Sequence, residues 1–157
     1  MRRYTIFQNV LEKLTILIVL ATIVWVTVCY GRLPDVIPTH FDFRGNVTGT
    51  GGKGMIWVML ALDVFCTLCL LIPGRFLPLN SRTVHLNIRI PDEAWPLLAP
   101  LTVSLLLWCA FFCSLLFAIP NIEMIYGKSE PVSAGVIVTI LVAVCAYYTR
   151  RLRYACR

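Results

Sequence analysis

One run of this chain concentrates side chains that do chemistry: Leu33-Pro34-Asp35-Val36-Ile37-Pro38-Thr39-His40-Phe41-Asp42-Phe43-Arg44-Gly45-Asn46. His40, Asp42 and Arg44 place an imidazole, a carboxylate and a guanidinium at every second position. Side chains alternate faces along an extended chain, so these three share one side, while Ile37, Thr39, Phe41 and Phe43 share the other. Pro34 and Pro38 stiffen the approach by locking φ and removing backbone donors, and Gly45-Asn46 reads as a turn. Positions i and i+2 lie about 6.7 Å apart on a strand. At that spacing His40 and Asp42 can converge on one ion, share a hydrogen bond, or present a recognition surface with Arg44 and the flanking Phe41 and Phe43.

The elements that hold this run are apolar. Of 157 residues, 59% are hydrophobic and 14% charged, too little charge to cover a water-soluble domain of this length. Four apolar runs stand out, at about 14–30, 55–72, 96–119 and 132–148. Each is long enough to cross a hydrocarbon core of about 30 Å as a helix. Lipid leaves an isolated segment no other way to satisfy its backbone. The expected fold is therefore an all-α membrane domain over 1–157 with four transmembrane helices. A partly extended loop at 31–54 joins the first two.

Charge sets the expected orientation. Arg2, Arg3 and Lys13 precede or open the first run; Arg75, Arg82 and Arg89 follow the second; Arg150, Arg151, Arg153 and Arg157 follow the fourth. The other two connections hold only Arg32, Arg44, Lys53 and Lys128. The positive-inside rule then puts both termini in the cytoplasm and the 31–54 loop outside, with Glu123 and Glu130. His85, Asp92 and Glu93 fall on the opposite side. No small-x-small cleavage site follows the first run, which reads as an uncleaved anchor. The net charge of +6 is dispersed between apolar runs without interleaved aromatics, so nucleic acid is not an expected partner.

Several sharper readings yield to plainer ones. Gly49 to Gly54 surrounds Lys53 with glycines but lacks phosphate-loop spacing and reads as a mobile segment. Lys53 and Trp57 suit an interfacial anchor at the start of the second helix. The seven cysteines lie almost entirely in or beside apolar runs. Cys66 and Cys69 have redox-motif spacing inside a helix, and Cys109 and Cys113 lie one turn apart. Small packing residues are favoured over a thiolate metal site. Asp63 interrupts the second run. An intramembrane acid points to function by default: it is read either as an ion- or proton-handling group or as a hydrogen-bonding contact between helices. Thr67, one turn on, shares its face, and Thr22, Ser104, Ser114 and Thr139 are candidate partners.

Gly31-x-Leu33-Pro34-Asp35-x-Ile37-Pro38-x-His40-Phe41-x-x-x-Gly45, followed by Lys53 and Trp57, resembles the membrane domain of unknown function that opens SdpI-type immunity proteins. There, too, the motif sits between a first and a second transmembrane helix. The resemblance implies a multi-pass protein of a bacterial cytoplasmic membrane that meets an envelope-associated peptide or protein partner. Pro34, Asp35, Pro38, Gly45, Lys53 and Trp57 would be its structural residues. Asp63, Thr67 and the cysteines lie outside the motif. No nucleophile–base pair or phosphate cradle accompanies His40, so no enzymatic activity, cofactor or resident metal is expected. The function classes left open are a binding protein using His40, Phe41, Asp42, Phe43 and Arg44; a small oligomeric transporter or channel subunit using Asp63; and a metal-dependent membrane hydrolase.

Overall fold

The computed structural model describes residues 5–42, 44–76, 95–129 and 131–155. Phe43, Glu130, Cys156 and the 77–94 connection with His85, Asp92 and Glu93 lie outside the described residues. The elements run α1 (Ile6–Tyr30), β1 (Val36–Phe41), β2 (Val47–Gly52), α2 (Met55–Phe76), α3 (Trp95–Tyr126) and α4 (Pro131–Ala155). All four helices contain a stretch long and apolar enough to cross a membrane, as expected.

The helices outrun the apolar segments, for local reasons. α1 begins at Ile6 because Thr5 and Gln8 close a capping box: Gln8 N–H donates to Thr5 Oγ1 at 3.2 Å, and Thr5 N–H to Gln8 Oε1 at 3.0 Å. Gln8 Nε2 then donates to Pro100 O (3.2 Å) and Ser104 Oγ (3.0 Å), tying α1 to α3. α2 continues through Pro73. α3 passes Pro120, whose ring removes a backbone donor, and the Asn121 amide donates to Phe117 O at 2.9 Å one residue along. The helix ends at Gly127, which takes φ +67 and donates its N–H to Glu123 O at 2.8 Å.

α3 is the hub. α1, α2 and α4 all pack along it, α1 and α2 touch each other lightly, and β1 also packs against it. The buried stripe of α1 is Gln8, Leu11, Thr15, Val19, Thr22 and Val26. On α2 it is Ile56, Leu60, Asp63, Thr67 and Leu71. Both have the three-four spacing of one helical face. One apolar cluster, with Leu11, Leu71, Val103 and Leu107, closes the end of the bundle away from the hairpin. At that end Arg75 Nη1 grips both oxygens of Glu12, at 3.0 and 2.8 Å. A second cluster, with Val26, Ile37, Ile56, Leu60 and Met124, closes the hairpin end. Asp63, Thr67, Ser114, Thr15 and Thr22 lie between the two along their helices and are buried. α4 differs: none of its spanning stretch is buried, so it leans on α3 and leaves most of its surface to lipid.

β1 and β2 form an antiparallel hairpin. The glycine-rich stretch expected to be mobile is its second strand. The expected strict alternation is broken as well, because the register slips between Pro38 and His40 and again between His40 and Phe41. Such bulges re-aim side chains. Glycine in β2 makes room for them: a Cβ on Gly49 would lie 3.2 Å from His40 Nδ1, and one on Gly51 would lie 3.0 Å from Thr39 Cγ2. At the tip, Gly45 takes φ +81, and a Cβ there would stand 2.6 Å from Ser129 O in the α3–α4 connection.

Gly45→Ala combines a left-handed backbone, costing about 1–2 kcal/mol, with that clash. It should raise limited proteolysis at Arg44 about tenfold while leaving all four helices inserted. An unchanged cleavage rate would show that the tip is not seated on Ser129.

Candidate functional site

Ile37 anchors the motif. It is 1% exposed and sits among Val26, Ile56, Leu60 and Met124, which joins the hairpin to the ends of three helices. The approach to it is pinned at both ends. Lys53 N–H donates to Asp35 O at 3.0 Å, and Lys53 Nζ meets Asp35 Oδ1 at 2.8 Å. The same ammonium lies 5.7 Å from the centre of the Tyr30 ring, which packs 5.3 Å from Trp57. Asp35, Lys53 and Trp57 thus form one brace between the end of α1 and the start of α2. The Lys53 hydrogen bond and charge lower the Asp35 pKa from 3.8, and Asp35 in turn raises that of Lys53 from 10.5.

Asp42 is the hub of the turn. Its Oδ1 accepts the Arg44 and Asn46 N–H groups, both at 2.8 Å, and its Oδ2 accepts Asn46 Nδ2 at 2.9 Å. Its own N–H donates to Asn46 O at 2.9 Å, and its carbonyl accepts from Gly45 N–H at 3.0 Å. The Asn46 side-chain amide, then the backbone donors, hold its carboxyl below the ordinary 3.8. A carboxylate so occupied shapes the loop that presents Arg44. Spacing alone gave Asp42 the same standing as His40; the Asp-x-x-Gly-Asn order was the available signal for a side-chain-bonded turn.

His40 is exposed on β1, with Nδ1 3.1 Å from Thr39 Oγ1. Together with Phe41 and Asp42 it lines a cleft of about 700 Å³ beneath the hairpin. Met55 and Met59 of α2, Met124 of α3 and Val138 of α4 form its apolar floor and walls. Glu123 and Ser129 complete the rim, and Ser129 Oγ donates to Glu123 Oε1 at 2.7 Å. The first and third connections therefore meet at one cleft. Glu123, noted in the sequence only for its side of the membrane, contributes a rim carboxylate. Arg44 is exposed in the turn.

Asp63 lies apart from this cleft. It is fully buried, and Thr67 Oγ1 donates to its Oδ1 at 3.3 Å. The other candidate partners are spent on their own helices: Thr22 on Ile18 O, Ser104 on Pro100 O, Ser114 on Phe111 O and Thr139 on Gly135 O. Among the described residues Asp63 Oδ2 has no hydrogen-bond partner. The described cysteines are free thiols, and Cys109 and Cys145 Sγ meet across helices at 3.8 Å. Among the described residues no three metal-ligating side chains come together.

Four apolar helices capped at one end by a short hairpin define the class: a multi-pass membrane protein. Within it, residues 16–62 match a family described as a domain of unknown function (DUF1648). The match runs from α1 through the hairpin and stops one residue short of Asp63. No curated protein and no solved structure matches the chain.

The carboxyl groups of Asp35 and Asp42 are both depressed below 3.8. Their contribution to hairpin order is thus present above that pH and lost as pH falls through their folded values. The raised Lys53 acts oppositely, contributing below 10.5 and fading above it. The Asn46 side-chain amide resonance should hold constant between about pH 5 and pH 10 and move only outside that window. Movement near neutral pH would contradict the assignment.

Proposed function

We propose that this chain is a recognition protein of a bacterial cytoplasmic membrane. It binds an envelope-associated peptide or protein through the outward hairpin and protects the cell as SdpI-type immunity proteins do. The observation that carries the reading is the mounting of the hairpin. Ile37, the Asp35–Lys53 pair and the Asp42 turn hold His40 and Arg44, both exposed, in fixed positions at the end of the bundle. Preorganised groups lose little entropy on binding, which suits recognition. The motif resemblance at Gly31 to Trp57 supports the immunity role, and the distribution of Lys and Arg supports the outward orientation.

The reading is non-catalytic. It is supported by the Asp42 carboxylate being engaged by turn donors and the His40 Nδ1 lying against Thr39 Oγ1, which suits presentation of the loop. A photoreactive side chain placed at Arg44 in living cells should capture an envelope partner. His40→Ala should reduce that capture at least fivefold, about 1 kcal/mol, with insertion unchanged. Full capture by the His40→Ala variant, together with full protection by both His40→Ala and Arg44→Ala, would refute recognition by the hairpin.

A second reading rests on the unpartnered Oδ2 of Asp63. A buried carboxyl within a polar layer suits proton or ion handling by a small oligomeric transporter or channel subunit. In proteoliposomes the wild type would then show ion-dependent flux that Asp63→Asn abolishes. The absence of wild-type flux would eliminate this reading.

A further inference from the structure

We infer that the basic end of α4 is a binding site for an anionic phospholipid, whose phosphate is held between Arg150 and Arg153. The site belongs to the end of the bundle away from the hairpin. It therefore rests on neither function proposed above, and it is the same whichever side of the membrane that end faces.

α4 has two faces. Leu141, Val144, Cys145, Tyr148 and Leu152 are half-buried, on the side where Cys145 meets Cys109 of α3. Ala143, Ala146, Tyr147, Arg150 and Arg153 recur at the three-four spacing of another face, and all five are exposed. With Thr149 they line one hollow of about 440 Å³. Its two parts suit the two parts of a lipid. Ala143 and Ala146 lie within the spanning stretch, and Ala143 is about 10 Å along the helix axis from Arg150. Side chains this small leave room beside α4 for a glycerol group and the start of an acyl chain. Tyr147 stands between alanines and arginines, where an amphipathic ring suits the membrane interface.

Charge names the headgroup. Arg150 and Arg153 lie about one turn apart, and among the described residues neither has a hydrogen-bond or ion-pair partner. Their neighbours are committed elsewhere. Arg151 Nε donates to the Tyr147 hydroxyl at 3.2 Å, and its guanidinium lies 5.6 Å from the centre of that ring. The Thr149 hydroxyl donates to Cys145 O. At this end of the bundle both oxygens of Glu12 are held by Arg75, and among the described residues no acid lines the hollow. Two unopposed guanidiniums present planar forks of N–H groups, which phosphate accepts in bidentate fashion. At a membrane surface each basic side chain adds its own attraction for anionic lipid. A zwitterionic lipid brings the same phosphate, but its ammonium would face the arginines. The occupant is therefore a phospholipid of net negative charge.

The test uses the full chain purified in detergent and titrated with phosphatidylglycerol or phosphatidylcholine of identical chains, with retained lipid counted by native mass spectrometry. One phosphatidylglycerol should be retained in preference to phosphatidylcholine. Arg150→Gln and Arg153→Gln should each lower that retention about fivefold. Arg151→Gln, which removes the same charge from the guanidinium committed to Tyr147, should lower it less than twofold. Ala146→Trp, which fills the hollow, should lower retention as well, whereas Val136→Trp at the hairpin end of α4, 51% exposed, should not. Circular dichroism checks the helix content of each variant. Glycerol phosphate, the soluble headgroup, should fail to displace the lipid, because it makes no use of the Ala143–Ala146 surface. Equal retention of the two lipids, equal losses for all three arginine variants, or displacement by glycerol phosphate would each overturn the inference.

Discussion

The burial of Ile37 at the hairpin end of the bundle is the contact on which the candidate site depends. A two-stranded hairpin is marginal by itself, and this one has three glycines in its second strand. It gains order by placing one branched side chain among Val26, Ile56, Leu60 and Met124, and thus on three helices at once. The Asp35–Lys53 brace and the Asp42 turn refine the geometry of a hairpin already docked. With Ile37 seated, the bulges after Pro38 aim His40 at the cleft mouth. Without it, Gly45 would have no reason to meet Ser129.

The second constraint comes from the solvent. In lipid, apolar surface is no reason for helices to associate, so packing and hydrogen bonds must do it. The chain meets this with a hub helix and a divided interior. Apolar clusters close both ends, and between them the hydroxyls of Thr15, Thr22 and Ser114 return their protons to carbonyls on their own helices. That local economy leaves Asp63 with Thr67 as its hydrogen-bond donor. A bundle that needed Asp63 only as a tie between helices would supply a donor from α1 or α3; among the described residues none does so.

Much of the fold was legible in the chain because apolar length alone dictates a spanning helix. The ends were less so. Nothing in the hydropathy of residues 6–13 reports the Thr5–Gln8 box, and Pro120 looks like a terminus until Asn121 and Gly127 are seen to carry the helix beyond it. The first strand showed in its alternation. The second did not, because Gly49 and Gly51 are chosen for the space that His40 and Thr39 require across the hairpin, which a reading of local propensity takes as flexibility. The candidate site was half legible: His40 and Arg44 could be singled out by type. The conversion of Asp42 into a turn hub depends on donors that only the folded turn aligns, and the arrival of Glu123 depends on the packing of α3.

Amide hydrogen exchange of β1 and β2, comparing the wild type with Ile37→Ala in the same detergent, tests the central claim most directly. Removing a packed isoleucine to alanine costs about 2–5 kcal/mol. The hairpin amides, protected in the wild type, should therefore exchange about thirtyfold faster or more in the variant, while the amides of the α3 interior keep their rates. Equally fast hairpin exchange in both proteins would contradict the account, because the hairpin would then be undocked from the outset and His40 would have no fixed place above the cleft.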